Sequence, residues 1–76
     1  MKEEEFLGEM KWFCEYYSEF KPNKRLIKVW IVLTSTYTVD QLRRAMMEHI
    51  KVDDNPNFPA FGKIYQQLIK IKRVAQ

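Results

Sequence analysis

Seventy-six residues with a net charge of +3, 46% hydrophobic content, two Trp, four Tyr and five Phe are too rich in core-forming side chains for a disordered chain, and make one domain, 1–76, with a single modest core. One cysteine and one histidine exclude an internal disulfide and a Cys/His zinc set, so packing alone has to hold the fold. The start, MKEEEF, lacks the basic and apolar regions of a signal peptide, and no apolar run nears the roughly 18 residues that span a bilayer; both features predict a cytoplasmic protein without a membrane segment.

From Glu3 to Ser18, the residues Phe6, Leu7, Met10, Phe13, Cys14 and Tyr17 recur at the i, i+3, i+4, i+7 spacing of one helical face. Trp12 and Tyr16 lie off that stripe, four residues apart, where the rim of a core is their ordinary place. The stretch Phe20-Lys21-Pro22-Asn23 stops this helix, because proline disfavours helix at the residue before it and suits the first turn of the next.

The second element starts near Asn23, and two readings compete for it. Val29, Ile31, Val32, Thr34 and Thr36 are β-branched and fit a buried strand, whereas Leu26, Ile27, Trp30 and Leu33 stand in helical register with Lys24, Arg25 and Lys28 gathered elsewhere. The register favours a helix. Val29, Ile31 and Val32 then fall outside its main stripe, leaving it apolar nearly all round, and such a helix is either central or meets something else. On this basis the stretch Leu26 to Ile50 is expected to organise the chain.

Thr38 with Gln41 forms a capping box, and Asp40 places a favourable charge in the following turn. The third helix runs to about Lys51, burying Val39, Leu42, Ala45, Met46 and His49 or Ile50, while Arg43, Arg44, Met47 and Glu48 face away. Val52 to Asn57 is turn chemistry, with Asp53 and Asp54 as turn and capping residues. Phe58-Pro59 opens the last helix; its inner side is Phe61, Ile64, Tyr65, Leu68 and Ile71, and its outer side Lys63, Gln66, Gln67, Lys70 and Arg73. Fraying is expected beyond Lys72. The fold class is thus all-α, a small single-domain bundle of about four helices.

Catalytic chemistry finds no support in these residues. Glycines at 8 and 62 alone cannot form a phosphate loop, and Cys14 on a core stripe is a small hydrophobe rather than a nucleophile. Two adjacent acids at 53 and 54 lack the alternating ligands of a calcium loop. No enzyme activity, metal or cofactor is expected.

Tyr17, Leu26, Trp30, Leu33, Tyr37, Leu42, Ala45, His49, Phe58, Pro59 and Ile64 together set out a pattern. A helix ending in an aromatic is followed by a Leu-x3-Trp-x2-Leu helix, a Tyr-containing connection, a helix with Leu-x2-Ala-x3-His, a polar loop, and Phe-Pro opening a helix with Ile. Over residues 6 to 70 this resembles the N-terminal helical domain of phage replicative-helicase loaders and loader-inhibitors, and of related short prophage proteins. The resemblance implies a non-catalytic protein of a bacterial host cell's cytoplasm that modulates DNA replication by binding the replicative helicase. In that family a flexible C-terminal extension is implicated in the helicase contact. This chain stops soon after its last helix, so no binding residue carries over.

The residues expected to meet a partner are the outward ones: Ile31 and Val32 on the second helix, Arg43, Arg44 and Met47 on the third, and Lys63, Lys70 and Arg73 on the last. Charge offers a second reading. Acids crowd the first twenty residues and bases follow, so Lys21, Lys24, Arg25, Lys28, Arg43 and Arg44, or the last helix, fit a weak nucleic-acid contact. A homodimer burying Val29, Ile31 and Val32 is a third, and inhibition of a host defence complex a fourth.

Overall fold

A computed structural model describes residues 1–75, and the side chains of residues 1–73. Four helices, α1 (Glu3–Tyr16), α2 (Lys24–Leu33), α3 (Val39–Val52) and α4 (Phe61–Ala75), make an all-α bundle with no strand among the described residues.

Local chemistry explains each start. Glu5 reaches back to accept from the Lys2 amide at 2.8 Å, and three glutamates in the first turn of α1 sit at the positive end of its dipole. Asn23 caps α2 by accepting from the Leu26 amide at 2.8 Å, which selects helix over strand for the β-branched run that follows. The Thr38–Gln41 capping box forms as expected: the Gln41 amide donates to Thr38 Oγ1 at 3.1 Å, and the Thr38 amide to Gln41 Oε1 at 2.9 Å. Asp53 and Asn55 each accept from the amide two residues on, at 2.9 Å, so the α3–α4 connection is two successive side-chain-closed turns.

The helix ends differ from the sequence reading. α1 closes at Tyr16, two residues before Ser18, because Ser18 and Glu19 turn left-handed at φ 58° and 56°. The reversal is held by the Phe20 amide donating to the Cys14 carbonyl at 3.0 Å. α4 begins three residues after Phe58: Pro59 holds Phe58 out of helical conformation, and the first turn starts with the Lys63 amide donating to the Ala60 carbonyl at 3.1 Å. α4 also continues past Lys72, where fraying was expected, as far as Ala75; Gln76 lies outside the described residues.

The core gathers Phe6, Met10 and Phe13 of α1, Leu42, Ala45 and Met46 of α3, and Ile64, Leu68 and Ile71 of α4. α3 is central, packing chiefly on α4 and next on α1. α2 is peripheral, which corrects the expectation that Leu26 to Ile50 organises the chain as one unit. Trp30 is its one buried side chain, supported by partly buried Leu26, Ile27 and Ile31. Leu7, Leu33 and Tyr65, read as inward, are exposed, and Val39 is half-buried. Each stands at the edge of its stripe, where a few tens of degrees of helix rotation move a side chain from core to solvent.

Phe58, outside any helix, joins the elements. Its ring meets those of Phe13 and Tyr17 edge to face, at centroid separations of 5.4 and 5.7 Å, and lies tilted against Phe20 at 4.2 Å and Trp30 at 5.6 Å. Pro59 beside it is buried.

Candidate partner-binding surface

At roughly 100° per residue, the inward side of α2 runs through Ile27, Trp30 and Ile31 and ends at the C-cap residue Thr34. Thr34 seals the C-terminal end, its hydroxyl donating to the Trp30 carbonyl at 2.7 Å from a fully buried position. The exposed side carries Lys24, Arg25 and Lys28 toward the N-terminus and Val29 and Val32, with Leu33 on their flank, toward the C-terminus. These three apolar residues are 48%, 69% and 45% exposed. Together they form one contiguous apolar patch rather than scattered single exposures. No acidic residue occurs in α2, so the surface is apolar at one end and purely cationic at the other.

The residues expected to bind a partner separate into free and engaged groups. Val32 is on the arc, but Ile31 turns inward against the core. Arg43 does not stand free: its Nε and Nη2 donate to Glu9 Oε1 and Oε2, both at 2.9 Å, and Trp12 Nε1 donates to Glu9 Oε1 at 2.8 Å. Glu9 is buried. The hydrogen bond from Arg43 holds its carboxyl below the usual range against the opposing effect of burial, with Trp12 helping. Lys63 is likewise engaged, with Nζ 3.1 Å from Asp53 Oδ2. Arg44 and Met47 on α3, and Lys70 and Arg73 on α4, are exposed, each pair one turn apart on its helix. Val29 and Leu33 were missing from the expected set. Spacing sets Val29 outside the α2 stripe, where it entered only the homodimer reading, and Leu33, some 60° from Trp30 by helical geometry, within the stripe.

A shallow groove of about 480 Å³ runs between α1 and the α1–α2 turn, with Leu7, Met10, Cys14, Phe20 and Ile27 among the residues lining it. Burial pushes the Cys14 thiol up from its ordinary value, which makes it a poor nucleophile. The Tyr17 hydroxyl is buried without a hydrogen-bond partner among the described residues. No three His, Cys, Asp or Glu side chains gather to hold a metal ion among the described residues, and no described helix is long and apolar enough to cross a membrane.

His49 is 3% exposed and faces Asp53 Oδ2 at 4.0 Å. Burial lowers its pKa from 6.5, Asp53 opposes that, and nearby Lys63 adds to it. With the folded pKa depressed, the imidazole is neutral in the fold, and the fold's full stability is present above the unfolded value of about 6.5. Stability therefore falls as pH drops below 6.5. The urea midpoint is expected to decrease between pH 7.5 and 5.5 in the wild type and to stay level over that window in His49→Gln; an equal decrease in both proteins would refute the assignment.

Comparison with protein-family models, with curated proteins and with solved structures finds no match.

Proposed function

We propose that this protein is a non-catalytic phage or mobile-element module that modulates DNA replication by binding a partner protein, the replicative helicase, through the outer arc of α2. The observation that carries the contact is the exposure of Val29, Val32 and Leu33 on a helix whose inner side alone is used by the fold. The helicase is named by the resemblance of the Leu26, Trp30, Leu33 and Phe58-Pro59 pattern to loader and loader-inhibitor domains. Whether the contact delivers the helicase or blocks delivery is read from a loading assay on single-stranded DNA, in which the two roles change the loaded fraction in opposite directions.

The test is direct binding of the purified protein to a purified hexameric helicase. Val32→Glu places a charge in the middle of the arc while removing little that the fold uses, since Val32 is 69% exposed. Affinity is expected to fall at least about tenfold, the scale of losing a central apolar contact, with the melting temperature within a few degrees of wild type. Absence of helicase binding by the wild type, or equal binding by the variant, defeats the proposal.

The run of Lys24, Arg25 and Lys28 without an acid supports a second reading, a weak nucleic-acid contact. It has fewer cations than the sequence offered, because Arg43 is held by Glu9 and Lys63 by Asp53. Phosphate binding weakens steeply as salt rises, so titration with duplex and single-stranded DNA at two salt concentrations separates it from an apolar contact.

A further inference from the structure

Resting on the α2 contact proposed above, we infer that the occupant of this arc is an acidic amphipathic helix of the partner protein. Its apolar side chains, one turn apart, would cover Val29, Val32 and Leu33, and its carboxylates would meet Lys24, Arg25 and Lys28. The argument is charge complementarity on a mixed surface. A helix face three to four residues long is covered efficiently by another helix presenting residues at i, i+3 or i+4. Lys24, Arg25 and Lys28 are exposed, none of their side chains makes an ion pair within the described residues, and α2 supplies no carboxylate of its own. A partner lacking acids would desolvate these cations uncompensated, whereas one with acids turns them into steering and register contacts.

The other occupants fit less well. Two copies pairing through α2 would bring together two arcs with no carboxylate between them. DNA would satisfy the cationic end and leave Val29, Val32 and Leu33 against phosphates, covering none of their exposed area. A lipid surface would take both ends of the arc, but a ten-residue helix whose Trp30 is turned into the core lacks the large aromatic anchor such binding uses.

The experiment uses two synthetic helical peptides, each with leucines at i, i+3, i+4 and i+7. Glutamates flank the leucines in one, and lysines in the other. Titration into the isotopically labelled full chain, followed by amide shifts, is expected to give saturable shifts centred on 24–34 with the glutamate peptide, and none with the lysine peptide. Arg25→Glu with Lys28→Glu should weaken the glutamate peptide roughly tenfold and create binding of the lysine peptide, a swap that mere loss of structure cannot produce. Equal binding of both peptides, or shifts that miss α2, overturns the inference. So does preferential saturation of the same amides by a duplex oligonucleotide or by anionic phosphatidylglycerol vesicles, or a doubled mass by light scattering when free of peptide. The two proposals fail separately. Helicase binding lost in Val32→Glu but unchanged in the charge-reversed double variant retains the helicase and removes the acidic occupant. Peptide charge selectivity without helicase binding does the reverse.

Discussion

Trp30→Ala is expected to lower the melting temperature by more than about 12 °C. Truncating a buried tryptophan costs about 3–5 kcal/mol, and each kcal/mol is worth about 4–8 °C in a domain of this size. The site justifies the upper part of the range. Trp30 is 2% exposed, stacks at a tilt on Phe58 at 5.6 Å and meets Phe61 edge to face at 4.9 Å, and is the one fully inserted side chain of α2. A marginal domain holds in total only about 0.05–0.15 kcal/mol per residue, so the variant keeps little reserve. Amide exchange distinguishes local from global loss: α2 amides should exchange at the unfolded rate while those of α3 keep some protection. Trp30→Phe, which preserves a ring against Phe58, should lose less. A shift below about 5 °C for the alanine variant would show that α2 is held by something other than this side chain.

Arg43→Met is the second large effect, and its cost lies at Glu9. Methionine keeps the apolar stem of the arginine but takes both guanidinium donors from a carboxylate whose side chain is only 10% exposed. A stranded buried carboxylate costs about 2 kcal/mol even with Trp12 still donating to it, or about 10 °C in melting temperature. The acid side carries a second signature. In the wild type the Glu9 pKa is lowered from 4.5, so its stabilising share is present above that pH and is lost as pH falls below it. Without Arg43, burial pushes the same pKa upward. The Glu9 share of the acid loss is then absent in Arg43→Met, because protonating a carboxyl whose pKa is raised in the fold favours the fold, and the added change Glu9→Gln, which removes the charge, should recover part of the melting temperature. A neutral Arg43→Met would mean that water reaches Glu9 freely.

Residue spacing was enough to set out the four helices, the Thr38–Gln41 cap and most of the core, because apolar recurrence at 3.6 and side-chain caps are local signals. The end of α1 was hidden for a local reason too. Ser18 and Glu19 adopt left-handed backbone where glycine or asparagine usually marks such a turn, so nothing in their identity announces it. The place of α2 was hidden for a non-local reason. Val29, Val32 and Leu33 have the same composition whether they face a neighbouring helix or water, and only the packing of α3 on α4 and α1 decides which. Glu9 shows the same limit. Among the six glutamates of the first twenty residues it alone is buried, and its partner lies 34 positions away, beyond the reach of any periodicity. Spacing therefore leaves Arg43 and Lys63 as outward cations with no partner in view, and sets Leu33 in the inward stripe rather than beside Val29 and Val32.

Phe58 gives the segment between α3 and α4 an unusual standing. A polar stretch rich in Asp, Asn and Pro looks like the natural place to lengthen, cut or tag a small protein, yet here one ring in it touches aromatics from α1, the α1–α2 turn and α2 at once. Moving that ring by a single inserted residue would disconnect three parts of the molecule together, whereas the same insertion at exposed Ser35 and Thr36 would disturb one. Length, more than polarity, is what this segment has to keep.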